Sequence, residues 1–143
     1  MSGIANVPDQ LRRVLVVEDT PVILKVVRHS LRHAGFSVTT ANDGAAAWEL
    51  LLRNDFDLVI TDLQMPVMTG LELCEAIRKD LLLKHMPVIL LTAKTLGSAE
   101  TYFQATLKIG AIVPKPFSLR ALRQVAEGLI ATGMFADDRS GAF

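Results

Sequence analysis

Short apolar runs that end abruptly at polar residues constrain the fold of this chain more than any other feature. Runs of leucine and β-branched residues of this length are typical of strands buried on both faces of a parallel sheet. Parallel strands of an open α/β sheet end at one edge, so the polar residues that follow them are expected to meet in a single crevice. The runs and their ends are Leu15–Val17 before Glu18 and Asp19, Leu58–Ile60 before Thr61 and Asp62, Val88–Leu91 before Thr92, and Ile112–Val113 before Lys115.

Helical patterns alternate with these strands along the chain. They predict helices at about 21–34, around 47–51, at about 71–80, at about 98–109 and from about 118 onward, with a half-exposed strand at 36–41. Pro114 cannot donate to a ladder, so the last strand is expected at a sheet edge. Ser118 is the expected N-cap of the last helix. The predicted fold class is α/β, with five βα units, a parallel sheet and helices on both faces.

Composition limits the kinds of partner that this chain can have. Its 143 residues suffice for one domain, and we predict an N-terminal extension at 1–12, the domain at 13–131 and a tail at 132–143. Lysine plus arginine balances aspartate plus glutamate, 15 against 15, so no nucleic acid or membrane partner is expected. The sequence shows no signal-peptide core and no apolar stretch of about 20 residues, and its lone cysteine fits a reducing compartment. These features favour a cytoplasmic protein.

The acidic residues at the ends of two adjacent strands indicate a metal site. Glu18, Asp19 and Asp62 should crowd together, and like charges at short range disfavour full ionisation. A hard divalent cation resolves the conflict, because Mg²⁺ prefers oxygen ligands and two carboxylates with a backbone carbonyl suffice to hold it. A carboxylate such as Asp62 can also attack phosphorus and form an aspartyl phosphate.

Four motifs at these strand ends together resemble the receiver domain of two-component response regulators, over nearly all of residues 13–131. The motifs are VLVVED ending at Asp19, the run from Asp62 to Gly70, Leu91-Thr92-Ala93, and Lys115-Pro116-Phe117. No single motif is specific, but their order and spacing are. The resemblance implies a flavodoxin-like doubly wound sheet with five parallel strands in the order 2-1-3-4-5.

The resemblance also implies roles for the acidic residues. Asp62 would be the phosphoacceptor. The metal, Mg²⁺ or Mn²⁺, would be bound by Asp19, Asp62 and the backbone carbonyl of Gln64, with Glu18 binding directly or through water.

Three further positions complete the implied site. Lys115 would place a positive charge on the phosphoryl oxygens, and the Thr92 hydroxyl would donate to one of them and pull the following loop inward. The bond between Lys115 and Pro116 is expected to be cis, since only X-Pro bonds tolerate that geometry at low cost.

The chain departs from the family pattern near the fifth strand. Ile112 occupies a switch position that usually carries Tyr or Phe, and Tyr102 or Phe103 could substitute for the missing ring. The segment before Lys115 is about two residues shorter than is common in the family. Gln64 and Lys94 stand where an acid could activate a hydrolytic water, and neither is an acid, which predicts a long-lived phosphoryl group.

The predicted function is that of a single-domain response regulator that accepts a phosphoryl group on Asp62 from a sensor histidine kinase and signals by binding a downstream protein. It would not be an enzyme beyond its own phosphorylation and dephosphorylation. Alternatives are a phosphorelay intermediate that passes phosphate to a histidine phosphotransfer protein, and an Mg²⁺-dependent phosphohydrolase with an aspartyl nucleophile. The hydrolase commonly needs an acid at the position of Gln64. A flavodoxin-like cofactor binder is disfavoured because Glu18, Asp19 and Pro21 replace its phosphate loop.

Overall fold

Strands and helices alternate throughout the computed structural model, which describes residues 12–93 and 98–132. In chain order the elements are β1 (Arg13–Val17), α1 (Pro21–His33), β2 (Ser37–Ala41), α2 (Gly44–Arg53), β3 (Leu58–Asp62), α3 (Gly70–Lys79), β4 (Val88–Thr92), α4 (Ser98–Leu107), β5 (Ala111–Pro114) and α5 (Leu119–Thr132). None of the helices in this described part of the chain is long and apolar enough to cross a bilayer.

The five strands form one parallel sheet in the order β2-β1-β3-β4-β5, which confirms the predicted topology. β5 lies at an edge, as Pro114 predicted, and β2 lies at the other. The central strands β3 and β4 are buried at every residue, whereas β5 is only partly buried. The continuous apolar runs therefore belong to the strands that have neighbours on both sides.

Two apolar layers pack on the two faces of the sheet. Alternate residues of the central strands face α2, α3 and α4 on one side, where Leu15, Val59 and Leu90 belong to one core cluster. The residues between them, such as Val16, Ile60 and Ile89, face α1 and α5. This division of helices fixes the sheet between two layers and leaves its carboxyl edge open.

Side chains that cap the first turn define where α2, α3 and α5 begin, close to that edge. The Asp43 side chain caps α2 by accepting from the Ala46 amide at 2.8 Å. The Thr69 side chain caps α3, and Glu72 completes a capping box by accepting from the Thr69 amide at 2.9 Å. Ser118 caps α5 as predicted, since its hydroxyl accepts from the Ala121 amide at 3.1 Å.

One helix is shorter than the sequence pattern predicted. The expectation that α4 continues to Ile109 is wrong, because the helix ends at Leu107. Lys108 adopts a left-handed backbone with φ of 54°, which stops the helix, and Ile109 is buried in the core instead. Ile109 is apolar and stands at helical spacing, which is why the sequence pattern extended the predicted helix to this residue.

Candidate metal and phosphoryl site

The carboxyl ends of β1 and β3 bring three acidic side chains together. Glu18, Asp19 and Asp62 each place a carboxylate oxygen within 4.8 Å of those of the other two. Val17 pairs with Thr61 in the ladder, so the residues that follow each strand are neighbours. Glu18 is completely buried and Asp62 is 6% exposed, whereas Asp19 is exposed. The cluster thus has a buried base and an open side.

Lys115 is the cation that reaches these acids. Its Nζ lies 2.9 Å from Oε1 of Glu18 and 3.3 Å from Oδ1 of Asp62. The backbone positions it, because the Lys115 amide donates to the Thr92 carbonyl at 2.7 Å and so extends the β4–β5 ladder by one residue. The bond between Lys115 and Pro116 is cis.

Glu18 is held at both oxygens and along its backbone. Oε1 accepts from Lys115, and Oε2 accepts from the Thr20 amide at 3.1 Å. The Glu18 amide donates to the carbonyl of Ala41 on β2 at 3.1 Å. A buried carboxylate needs such partners to remain in place, and these contacts make Glu18 the fixed part of the cluster.

The electrostatics favour a charged lysine and disfavour a charged Asp62. Burial raises the pKa of Asp62, the negative charge of Glu18 raises it further, and Lys115 offsets only part of the rise. Burial would lower the pKa of Lys115, but its hydrogen bond to Glu18 and the charges of Glu18 and Asp62 raise it above the usual value. Among the residues that the structure describes, three acids face one lysine, which leaves an excess of negative charge.

The loop between β3 and α3 contains features that sequence reasoning missed. The Thr61 hydroxyl, fully buried, donates to the Asp62 carbonyl at 3.0 Å. A side chain at Gly70 would collide with that same carbonyl, so the loop closes tightly on Asp62. Val67 has φ of 71°, and the Met68 amide donates to the Pro66 carbonyl across it at 2.8 Å, which forms a strained γ-turn. The glycine that ends the Asp62 to Gly70 run was the sequence signal for the close approach of this loop to the Asp62 carbonyl.

The remaining predicted residues lie in several environments. Thr92 is 2% exposed and follows Leu91, which pairs with Asp62 in the ladder. Gln64 is exposed two residues after Asp62. Ile112 is partly buried against the core cluster of α2, α3 and α4 and so serves packing. Tyr102, considered as a substitute ring, is 62% exposed. Lys94 and the side chain of Phe103 lie outside the described residues.

The donor set fits a hard divalent cation. Three carboxylates supply oxygen atoms only, which is the ligand type that Mg²⁺ and Mn²⁺ prefer. Glu18 and Asp62 are buried with a single lysine between them, so a cation beside Asp19 and Asp62 would remove the residual repulsion. The cluster can therefore hold a divalent metal.

Comparison with known proteins identifies the family. The sequence model described as the response regulator receiver domain matches residues 14–127. The chain belongs to the response regulator receiver domain family. As a receiver domain it is a component of two-component signalling, and members of this family are not classical enzymes.

Chemotaxis proteins are among its relatives. The chain is 34% identical to the chemotaxis protein CheY of Pseudomonas aeruginosa over 116 residues, which is 80% of the chain and 93% of that protein. It is 36% identical to CheY-3 of Vibrio cholerae over 114 residues, covering 78% of the chain and 86% of that protein. The high-resolution structure of the chemotaxis response regulator CheY4 of Vibrio cholerae superposes with a TM-score of 0.78 at 32% identity, covering 84% of the chain and 99% of that structure. The receiver domain is thus CheY-like in sequence and in fold.

Proposed function

We propose that this receiver domain accepts a phosphoryl group on Asp62 from the phosphohistidine of a sensor histidine kinase and signals by a phosphorylation-dependent change in protein binding. We further propose that residues 13–131 carry this function. The observation that carries the proposal is the position of Asp62, a nearly buried carboxylate 3.3 Å from the Lys115 ammonium and clustered with Glu18 and Asp19. A buried acid whose environment disfavours its charge is typical of a functional group rather than of a surface residue.

The transfer itself is a displacement at phosphorus. A carboxylate oxygen of Asp62 forms the new P–O bond as the P–N bond of the phosphohistidine breaks, and the imidazole leaves with the electron pair. The protein contributes mainly positioning and charge neutralisation, because little other covalent chemistry is required. Thr61 and Gly70 hold the backbone of Asp62 in place for this attack.

Lys115 and Thr92 would act on the transferred phosphoryl group. Lys115 already contacts Asp62 and would exchange part of that contact for a phosphoryl oxygen. The Thr92 hydroxyl, buried at the end of β4, would donate to another oxygen and draw the segment after it inward. Thr92 is the last residue of β4 and Lys115 directly follows β5, so the new charge at Asp62 is coupled to the neighbouring edge of the sheet.

A divalent metal, Mg²⁺ or Mn²⁺, would be held by Asp19, Asp62 and the Gln64 carbonyl, with Glu18 direct or through water. When bound, it supplies positive charge that neutralises the phosphoryl oxygens. Glu18 stays paired with Lys115 and keeps the lysine directed at the cluster.

The downstream partner would be a protein that recognises the phosphorylated form. A phosphorelay role, in which phosphate passes on to a histidine phosphotransfer protein, uses the same Asp62 chemistry. The phosphohydrolase alternative is less favoured, because Gln64 is not an acid and family membership points to signalling. The 15 to 15 balance of charges also favours protein partners over nucleic acid and membrane.

Incubation with a small phosphodonor and Mg²⁺, followed by intact mass, tests the proposal. The native chain should gain the mass of one phosphoryl group, and Asp62→Asn should gain none. Asp55→Asn is the matched control, because Asp55 is exposed and precedes the same strand at the opposite end. Equal labelling of the native chain and Asp62→Asn would remove Asp62 from the role of acceptor.

A further inference from the structure

The loop between α3 and β4 exposes two leucines at the amino edge of the sheet. Leu82 is 94% exposed and Leu81 is 82% exposed. Leu52, near the end of α2, is 54% exposed and lines the same surface groove as Leu82. These three are all the leucines that are exposed in the described part of the chain, and we call them the amino-edge patch. Single exposed leucines are ordinary, but a group of them at one place is typical of an interaction surface.

The groove beside the patch is large enough to receive an apolar side chain. It has a volume of about 310 Å³ and lies between the end of α2 and the segment that leads into β4. The apolar residues that line it are Leu51, Leu52, Phe56, Leu82, Leu83 and Met86. A cavity of about 150 Å³ with a similar lining holds benzene, so this groove has room for a leucine side chain. The amino-edge patch therefore offers both a projecting leucine and a place that can receive one.

Hydrogen bonds order the loop that carries the two most exposed leucines. Oδ1 of Asp80 accepts from the Leu82 amide at 2.8 Å and from the Leu83 amide at 3.0 Å. The Arg78 guanidinium donates to the Met86 carbonyl, at the end of the same loop, at 2.8 Å. Because the loop is already ordered, a partner that binds these leucines does not have to order the backbone first.

The charges around the groove favour a second copy of this chain as that partner. Arg53 and Asp55 are exposed and line the groove. Lys84 and Asp57, also exposed, each directly follow another residue of the lining, so these four side chains balance in charge. A rim of mixed sign does not repel its own copy, because a basic residue of one copy can face an acidic residue of the other. The formal net charge of zero likewise leaves no net repulsion between two chains.

A contact between two identical chains about a two-fold axis uses the same surface on both, so that surface has to be complementary to itself. We propose that two copies of this chain associate through the amino-edge patch, with Leu82 of each copy placed in the groove of the other. The groove lies where β3 and β4 begin, whereas Asp62 lies where β3 ends, so the contact leaves the phosphoryl site open. The proposal is therefore independent of the proposed function.

Sedimentation velocity of the full chain over a range of concentrations tests this association. The mean mass of the native chain should rise from that of one chain toward that of two chains between about 10 µM and about 1 mM, the range expected for a small contact. Leu82→Gln removes the apolar group without changing the charge, and it should raise the Kd at least about tenfold because each dimer loses two buried leucines. Val22→Gln is the matched control and should associate as the native chain does, because Val22 is 71% exposed on α1, which begins at the opposite edge of the sheet.

Three results would overturn the proposal. The native chain could keep the mass of one chain at every concentration, which would leave the patch to another protein or to another segment of this chain. Leu82→Gln could associate as the native chain does, or Val22→Gln could weaken the association as much as Leu82→Gln. Because Leu82 is 94% exposed, Leu82→Gln is expected to fold. Leu52→Gln, which alters another residue of the groove, should weaken the association in the same direction and decides the case if the first variant does not fold.

Discussion

At the scale of single residues, Asp62 is less stable as an anion in the folded chain than in the unfolded chain. Burial and the charge of Glu18 raise its pKa above the ordinary value of 3.8. For such an acid, the stabilising contribution is complete below the unfolded pKa and is lost as pH rises through the folded pKa. Above pH 3.8 the raised pKa of Asp62 therefore lowers the free energy of unfolding.

Asp62→Asn should consequently raise the free energy of unfolding at pH 7 without metal, by an amount within the range of about 0.5–3 kcal/mol usual for single substitutions. The gain should shrink as pH falls through the raised pKa toward 3.8. Urea unfolding followed between pH 4 and pH 8 measures it, with Asp55→Asn as control. A gain that stays constant over this range would show that the charge of Asp62 is not its cause.

Val67 stores strain beside the site. Its φ of 71° is unfavourable for a β-branched residue, and the side chain is 81% exposed, so no packing is lost by removing it. Val67→Gly should raise the free energy of unfolding by about 1 kcal/mol. This net gain is the backbone strain relieved in the folded chain minus the extra conformational entropy that glycine has in the unfolded chain. Val22→Gly, at a 71% exposed position in α1, should lower it by up to about 1 kcal/mol. Chemical denaturation compares the two, and a loss at both positions would contradict strain at Val67.

At the scale of elements, two glycines at helical positions predict opposite effects of the same substitution. A Cβ at Gly70 would strike the Asp62 carbonyl, which is backbone and cannot move aside, whereas a Cβ at Gly128 in α5 would meet nothing within 4 Å. Gly70→Ala should lower the free energy of unfolding by about 1–3 kcal/mol and slow phosphorylation, because Asp62 shifts. Gly128→Ala should raise it by about 0.5–1 kcal/mol and leave phosphorylation unchanged. Thermal unfolding and intact mass report both effects.

The strands could be predicted because each depends on a local rule, whereas their order was implied by the resemblance to receiver domains. Apolar runs such as Val88–Leu91 read as buried strands, and the polar residue after each run lies at the shared edge. The cap at Ser118 follows from residue type alone. The end of α4 could not be predicted, since Ile109 continues the helical pattern while the left-handed backbone of Lys108 breaks it.

Contacts between distant segments account for what the sequence did not reveal. Arg78 contacts carbonyls 29 and 30 residues away, and no local pattern marks such partners. The γ-turn at Val67 is hidden because valine is an uncommon residue for a positive φ. By contrast, the approach of Asp62 to Lys115 followed from the common edge on which parallel strands end, because the two residues lie at the ends of strands that are not neighbours in the sheet.

At the scale of the whole molecule, binding of a divalent cation should be coupled to folding. The three carboxylates come from β1 and β3, which are brought together only by the sheet, so the unfolded chain has no comparable site. A ligand that binds only the native state adds about 2.7 kcal/mol to the free energy of unfolding at 100 times its Kd. The free energy of unfolding should therefore rise with Mg²⁺ concentration and, once the site is filled, should continue to rise with the logarithm of that concentration.

The substitution Asp19→Asn separates the stabilisation by bound Mg²⁺ from changes in the packing of the metal-free protein. Asp19 is exposed, so its substitution should change the free energy of unfolding without metal by no more than about 0.5 kcal/mol. Because Asp19 belongs to the carboxylate cluster, the variant should need at least about tenfold more Mg²⁺ than the native chain to reach the same stabilisation. Asp55→Asn should respond to Mg²⁺ as the native chain does. Thermal unfolding over a Mg²⁺ titration, at ionic strength held constant with NaCl, measures all three proteins. If Asp19→Asn and the native chain shifted together at every Mg²⁺ concentration, the stabilisation would come from general screening of acidic surface charge and not from a cation bound between β1 and β3.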